Sequence, residues 1–213
     1  MGLRRPPLQA RSEETLDRIL RATEALLDRK SFEDIGISEI LERSGVSASS
    51  FYARFKSRDD LLPWVYARYS DSERRLAAER FDPGRLANLD FAETIRLLTR
   101  EAVATYRARR GLLRTVALLA RSRPSAVSRG ALRERAEQYA EAAGLLRRFR
   151  SEILHPDPEL AVTTGILMIL SLCREKVLFG DAPHPRSVDI DDNALGLEAA
   201  RALHAYLTTR PRL

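Results

Sequence analysis

The 213-residue chain contains only one cysteine, Cys173, so no disulfide can form within it. Aromatic residues make up 7% of the chain, and no run rich in valine, isoleucine and threonine alternates between apolar and polar positions. Strands therefore have little support. Hydrophobic residues nevertheless make up 44%, which is ample for a buried core. These scarcities favour an all-α protein in a reducing compartment.

Sequence motifs of enzymes are also scarce. No two of the ten glycines lie within two positions of each other, which excludes the GxGxxG and GxSxG motifs. There is no HExxH or phosphate-loop pattern, and His155, His184 and His204 lack the spacing of metal ligands. We therefore expect no catalytic residue, no metal and no cofactor, and an enzyme is the least supported class of function.

Long apolar runs are missing as well. No stretch approaches the roughly 18 uninterrupted apolar residues of a membrane span, and the first ten residues lack the apolar core of a signal peptide. We expect a cytoplasmic protein with no membrane partner.

Apolar residues recur at helical spacing along most of the chain, and turn signals separate the segments. Pro63 interrupts one of these segments early, and Asp82, Pro83 and Gly84 form the turn that ends it. The pattern predicts about nine helices, over residues 13–29, 37–44, 48–55, 58–80, 91–109, 112–121, 125–150, 158–179 and 192–208.

Residues 45–62 read as a tight turn, a short exposed helix and the start of another helix. Gly45 can adopt positive φ after one helix, and the Ser47 hydroxyl can cap the next. Val46 and Phe51 have the spacing of a hydrophobic staple, and Ser57 with Asp60 matches a capping box. The pattern predicts a helix-turn-helix corner whose outward positions are Ala48, Ser49, Tyr52, Ala53 and Lys56.

Charge is unevenly distributed along the first 58 residues. From Arg43 to Arg58 there are four basic residues and no acidic one, whereas residues 13–42 hold nine acids against four bases. Basic residues free of acids suit an element that approaches phosphates. Residues 1–12 carry three arginines, and they form either an arm that follows a DNA groove or a solubilising tail.

The first 62 residues resemble the DNA-binding domain of the TetR/AcrR family of transcriptional regulators. Leu41 departs from the family pattern, where a small residue is usual, and Arg58 replaces a more frequent lysine. The resemblance implies a DNA-binding domain over residues 1–60 and a helical ligand-binding and dimerisation domain over 61–213. The matching residues are Phe32, Ile40, Gly45, Val46, Ser47, Phe51, Tyr52, Phe55, Lys56, Arg58, Leu61 and Leu62.

The resemblance also assigns roles within the corner. Tyr52 and Arg58 are expected to contact phosphates, together with Lys56 and the hydroxyls or amides of Ser47 and Ser50. Sequence readout would fall to Ala48, Ser49, Ala53 and Arg54, although Arg54 could equally be solvated. Since alanine reads only a thymine methyl or local shape, an adaptor that has kept the fold and lost DNA binding remains an alternative.

By resemblance, the chain is a homodimeric regulator of double-stranded operator DNA, a repressor rather than an activator, whose operator affinity falls when a small-molecule effector binds. The last two helices are expected to pair with their copies in a four-helix bundle. The residues expected at this interface are Ala161, Gly165, Met168, Leu172, Leu195, Ala199, Leu203 and Tyr206.

The effector is expected to be anionic and amphipathic. Between Arg100 and Arg150 there are thirteen arginines and four glutamates, in the helices that by resemblance surround the ligand cavity. A guanidinium fork suits carboxylate or phosphate. Tyr106 and Arg110, four residues apart, with Leu113 close by, are the expected contacts, and Pro63 is a candidate hinge.

Overall fold

The computed structural model describes residues 8–122, 129–180 and 189–210, and these contain helices and no strand. The predicted all-α fold is confirmed. The helices are α1 (Leu8–Leu27), α2 (Ile37–Ser44), α3 (Ala48–Tyr52), α4 (Leu62–Arg80), α5 (Pro83–Leu86), α6 (Phe91–Ala108), α7 (Arg110–Ser122), α8 (Arg129–Arg147), α9 (Pro158–Cys173) and α10 (Asp192–Thr208). A π-helical turn, Arg174–Leu178, continues α9 directly.

Several helix boundaries differ from the prediction. Helix α1 already begins at Leu8, so the last residues of the predicted arm are helical, while residues 1–7 lie outside the described part. Helix α3 ends at Tyr52, although Phe55 N–H still donates to the Phe51 carbonyl at 3.0 Å. The predicted helix over 125–150 is described only from Arg129 onward.

Pro63 does not interrupt a helix. A 3-10 turn, Asp59–Leu61, comes first, and α4 begins at Leu62, which puts Pro63 in the first helical turn. The missing N–H of proline costs no hydrogen bond at that position, and its fixed φ suits the start of a helix. The predicted interruption was therefore wrong, and the hinge hypothesis loses its physical reason.

The helices α1, α2 and α3 pack around a small apolar centre. Ile19 of α1, Ile40 of α2 and Phe51 of α3 are completely buried there. The staple pair Val46 and Phe51 is also buried, and the Phe51 and Phe55 rings lie 5.4 Å apart between centroids. These contacts set the angle at which α3 leaves the turn.

Helices α6, α9 and α10 form the centre of the remaining part. Gly165 of α9 lies so close to α10 that a Cβ built there would be 2.4 Å from Leu203 Cδ1. Arg107 of α6 donates to both carboxylate oxygens of Asp192 at the start of α10, at 2.7 and 2.6 Å. These hydrogen bonds from Arg107 lower the pKa of Asp192.

Helix α1 contacts both α4 and α7. Arg68 of α4 pairs with Asp17 and lies 3.2 Å from the Glu24 carboxylate, both on α1. At the other end of α1, a Cβ built on Gly111 of α7 would lie only 1.8 Å from the Leu27 carbonyl oxygen. The start of α7 therefore touches the backbone at the end of α1.

We predict opposite effects of alanine at two helical glycines. Gly111→Ala forces α7 away from α1 and should lower the free energy of unfolding by about 1–3 kcal/mol, a typical cost of overpacking. Gly144 of α8 has open space around its Cβ position. Gly144→Ala should therefore raise the free energy of unfolding by about 0.5–1 kcal/mol. Urea denaturation followed by circular dichroism measures both, and equal effects would contradict the close contact.

Candidate functional site

The corner between α2 and α3 has the predicted caps. Gly45 ends α2 with φ 60° and ψ 28°, a left-handed conformation that favours glycine, and its N–H donates to the Glu42 carbonyl at 3.3 Å. Ser47 is extended, and its hydroxyl accepts from the Ser50 N–H at 3.3 Å. The same hydroxyl lies 3.0 Å from the Ser49 hydroxyl and donates to that of Ser50 at 2.9 Å.

Arg18 of α1 holds this corner from outside, a contact that sequence reasoning missed. Its Nε donates to the Ser44 carbonyl at 2.9 Å, and its Nη2 donates to the carbonyls of Ser44 and Gly45 at 2.5 and 2.7 Å. A cation at the carboxyl end of α2 also suits the helix dipole. No local pattern could reveal this contact, because the partners are 26 and 27 residues apart.

The outward face of α3 is small and weakly charged, and basic residues flank it. The side chains of Ala48, Ser49, Ser50 and Ala53 are exposed. Tyr52 is 53% exposed, and its ring packs edge-on against the buried Phe51 ring. Buried Phe51 thus orients Tyr52 outward.

Two cations beside α3 stay available for a ligand. Arg43 and Lys56 are exposed, and neither forms an ion pair with any residue of the described ranges. The backbone N–H groups of Lys56 and Ser57 donate to one Asp60 oxygen at 2.8 and 2.9 Å, which is the acidic half of the predicted capping box. These hydrogen bonds hold the backbone at Lys56 in place, while its side-chain ammonium stays exposed.

Arg58 and Arg54 are engaged inside the protein. Arg58 Nη1 donates to the carbonyls of Glu33 and Ile35 at 2.9 and 3.0 Å, and its guanidinium lies 4.5 Å above the centroid of the Phe32 ring. Arg54 Nη2 donates to the Ser12 carbonyl and hydroxyl at 2.7 and 2.6 Å. Arg54 is exposed as well as bonded to Ser12, so its role at DNA and the phosphate role of Arg58 both stay predictions that must compete with these contacts.

We predict that the Arg18 contacts stabilise the corner. Arg18→Gln removes three hydrogen bonds from a charged donor and should cost about 1–3 kcal/mol, which lowers the Tm of a chain of this size by several degrees. Arg21 is the matched control, since it is on the same helix and pairs only with Asp17 at the surface. Arg21→Gln should cost less than about 1 kcal/mol. Equal Tm shifts in the two variants would show that the Arg18 hydrogen bonds stabilise the protein no more than a surface ion pair does.

A cavity of about 180 Å³ lies among α4, α6, α8 and α9. Two of the three residues expected to contact an effector, Tyr106 and Leu113, lie on its wall. The third, Arg110, does not line it and donates from Nε to the Val177 carbonyl at 2.7 Å, in the π-helical turn. The Arg110 guanidinium, which was expected to contact the effector, therefore donates to a backbone carbonyl.

The charged part of the wall is mainly acidic. Among the residues that the structure describes, Glu73, Glu101 and Glu141 line the cavity together with Arg80. Arg80 Nε is 3.3 Å from Glu101, and Arg80 Nη1 is 3.7 Å from Glu73. The wall also carries the five aromatic residues Tyr66, Tyr69, Phe81, Tyr106 and Tyr139.

Three arginines of residues 100–150 form ion pairs away from the cavity. Arg107, Arg147 and Arg150 are exposed and pair at the surface with Asp192 or Glu159. The expectation of an anionic effector rested on the arginines of residues 100–150. Folding also brings Glu73 and the tyrosine rings of α4, which lie outside that segment, to the cavity.

Five of the residues expected at the dimer interface are buried inside the subunit. Helices α9 and α10 pack against each other and use their small residues for close contact within one chain. Charges at Ala161 or Ala199, both 0% exposed, would break this core rather than a dimer. The expectation was wrong for Ala161, Gly165, Leu195, Ala199 and Leu203.

The opposite side of α9 is apolar and exposed. Met168 and Leu172, two of the expected interface residues, are 41% and 42% exposed, while Tyr206 is half-buried. Leu160 and Leu167 are still more exposed, and Leu197 of α10 adds to the set. From Gly165 to Cys173 only Ser171 is polar, so the sequence indicates that α9 is apolar nearly all round, but it does not indicate which side the core covers.

Cys173 and two of the three histidines singled out in the sequence, His155 and His204, lie among the described residues. Burial raises the pKa of the Cys173 thiol to about 11. Within the described residues no three His, Cys, Asp or Glu side chains are grouped so that they could hold a metal ion, and His184 lies outside them. None of the described helices is both long and apolar enough to cross a membrane.

Comparison with known proteins agrees with this arrangement. Residues 19–63 match the family model of bacterial regulatory proteins of the tetR family. No curated protein sequence matches the chain. The resemblance of the DNA-binding residues to the TetR/AcrR family is confirmed.

Solved structures share the fold over almost the whole chain. A protein described as a TetR-family transcriptional regulator from Mesorhizobium loti MAFF303099 has a TM-score of 0.67 at 19% identity, covering 92% of this chain and 96% of its own. A bacterial regulatory protein in the tetR family from Rhodococcus RHA1 has a TM-score of 0.66 at 13% identity, covering 92% and 98%. Salmonella enterica GusR has a TM-score of 0.55 at 16% identity, covering 98% and 100%.

Proposed function

We propose that the chain is a DNA-binding transcriptional regulator, a repressor whose affinity for its operator falls when a small molecule binds in the cavity. The observation that carries the proposal is the exposed face of α3. That face carries Tyr52, and Arg43 and Lys56 precede and follow the helix in the chain, at a corner held by Arg18, with no acidic residue from Arg43 to Arg58. An outward helix flanked by basic residues on a rigid corner suits the major groove.

In this proposal, phosphate contacts position α3 and its small side chains approach the bases. The Tyr52 hydroxyl, the Lys56 ammonium and the Ser47 and Ser50 groups bind phosphates. Ala48 and Ala53 lie against thymine methyl groups, while Ser49 can donate to or accept from a base. With two alanines at reading positions, discrimination between operators depends strongly on DNA shape.

We infer a homodimer that pairs through the exposed apolar side of α9. Of the nine large hydrophobic residues that are exposed in the described part of the chain, four lie on α9 and one on α10. A surface of this kind is costly in water and is stabilised when a second copy covers it. Two copies related by a twofold axis would place their α3 helices at half-sites about 34–36 Å apart.

The proposed response to the ligand uses the contacts between α1 and its neighbours. Helix α4 lines the cavity with Tyr69 and Glu73 and holds α1 through Arg68. Helix α7 lines it with Leu113 and touches α1 through Gly111. A ligand that favours a different position of α4 or α7 therefore moves α1 and changes the spacing of the two α3 helices.

The DNA-binding role is tested by two charge-removing variants. Lys56→Gln should flatten the dependence of log K on log salt by about one unit, because about 0.9 counterions are released per phosphate contact. Its Tm should not change, since the ammonium has no partner within the described residues. The measurement is an electrophoretic mobility shift with DNA from upstream of the gene, at several salt concentrations.

Arg58→Gln is the matched comparison. It should lower the Tm by several degrees, since it removes hydrogen bonds to two carbonyls and the contact with the Phe32 ring. A lower salt slope at unchanged Tm would instead identify Arg58 as a phosphate contact. If the wild-type protein shows no salt-dependent binding to its upstream DNA, the adaptor alternative replaces the regulator.

We predict that acidic residues on the outer side of α9 give a monomer. The double variant Leu167→Glu, Leu172→Glu places charge on exposed positions, so the subunit should keep its helical content while losing dimerisation and most operator affinity. Ala140→Glu, at an exposed position of α8, is the control and should remain dimeric. Sedimentation velocity at micromolar concentration measures the state. A dimeric double variant would exclude this surface.

A further inference from the structure

The described part of the cavity wall has a charge opposite in sign to that of the chain. The protein carries a net charge of +6, yet the acidic and basic side chains among the described wall residues are three glutamates and one arginine. These four residues carry a formal charge of −2. Within a partly enclosed space, where water screens charge poorly, this imbalance selects the sign of the ligand.

Glu73 is the most buried of the three wall carboxylates and has no cation within hydrogen-bond distance among the described residues. Its side chain is only 12% exposed, and its one ion-pair contact within the described part of the chain is Arg80, at 3.7 Å. That distance exceeds a hydrogen bond. Arg80 lies closer to Glu101, at 3.3 Å, so one guanidinium serves two carboxylates. A nearly buried carboxylate without a hydrogen-bonded cation is costly, and a cationic ligand would remove this cost.

Aromatic rings lie on the same side of α4 as Glu73. Tyr66, Tyr69, Glu73, Ala77 and Arg80 follow helical spacing and all line the cavity. The centroids of the Tyr66 and Tyr69 rings are 5.8 Å apart, with the rings tilted by 55°. Phenol faces attract cations, and they do so most strongly where water is excluded.

The cavity has room for a small ligand. Its volume, about 180 Å³, is close to that of an engineered apolar cavity of about 150 Å³ that binds benzene. Leu98, Ala102, Ile166 and Ile169 supply apolar wall, so a ring with a short side chain fits better than a long lipid.

We propose that the cavity binds a small organic cation, an ammonium group carried by an aromatic or compact apolar body, with Glu73 as its main counter-ion. The proposal rests on the proposed function only in taking this cavity as the effector site. Among the described wall residues an anion would meet three carboxylates and one guanidinium, and that guanidinium is shared by two of the carboxylates. The expectation of an anionic effector is thereby replaced.

The first test is isothermal titration calorimetry of the DNA-free protein with three ligands of one shape. These are 3-phenylpropylammonium, the neutral alcohol 3-phenylpropanol and the anion 3-phenylpropionate. The cation should bind about tenfold or more tightly than the other two, as expected for hydrogen bonds that involve charge. Equal affinities, tighter binding of the anion or no binding of the cation would each overturn the proposal.

Substitutions that remove either a negative or a positive charge from the wall test whether Glu73 contacts the ligand or has only a structural role. Glu73→Gln should weaken binding of the cation about tenfold or more and leave binding of the alcohol unchanged. Arg80→Gln removes the competing cation and should tighten binding of 3-phenylpropylammonium. Glu79→Gln, on the same helix but outside the cavity wall, is the control and should change nothing. Loss of affinity for cation and alcohol alike in Glu73→Gln, or weaker cation binding in Arg80→Gln, would contradict the assignment.

The same titrations keep this proposal distinct from the DNA-binding function. They contain no DNA, so binding of the cation stands or falls without the operator. A protein that shifts its upstream DNA but ignores 3-phenylpropylammonium would keep the proposed function and lose this inference. A protein that binds the cation at Glu73 without binding DNA would keep the inference and lose the function.

Discussion

The contacts of α1 are the constraint on which the other arrangements depend. Arg18 fixes the corner before α3 through the carbonyls of Ser44 and Gly45, and Arg68 joins α1 to α4. At its end, α1 meets α7 so closely that Gly111 has no room for a side chain. Burial raises the pKa of Glu24 on this helix, in line with its position between the two parts of the chain. In the proposed response, a displacement of α4 or α7 therefore acts on α1, which contacts the corner before α3.

Five basic residues of the DNA-binding part divide into two groups according to their contacts. Arg18, Arg54 and Arg58 donate to backbone carbonyls, and so they position α3 relative to α1 and the turn that follows it. Arg43 and Lys56 have no such partners among the described residues and keep their charge for a ligand. We therefore expect fewer phosphate contacts than the number of basic residues along this segment, since a guanidinium already bonded to carbonyls is costly to withdraw.

In the cavity, too, the composition of the sequence does not predict which side chains face the ligand. Arginine dominates the sequence from Arg100 to Arg150, but Arg107 and Arg147 lie at the surface and pair with acids there. The wall instead receives Glu73 and the tyrosines of α4, which lie outside that segment. Helix packing, rather than local composition, thus decides the sign of charge that a ligand meets.

The sequence by itself determined what depends on neighbours a few residues apart. Gly45 at positive φ, the Ser47 cap, the staple of Val46 and Phe51, the all-α class and most helix limits follow from local sterics and hydrogen bonding. Only the tertiary structure decided the partners of Arg18, Arg58 and Arg110, the acidic wall of the cavity and which side of α9 stays exposed. Helical periodicity identifies an apolar helix, but a helix that is apolar all round carries no signal for the side that its own core will cover. Contacts across 23 or more residues depend on how helices pack, and no spacing in the chain encodes them.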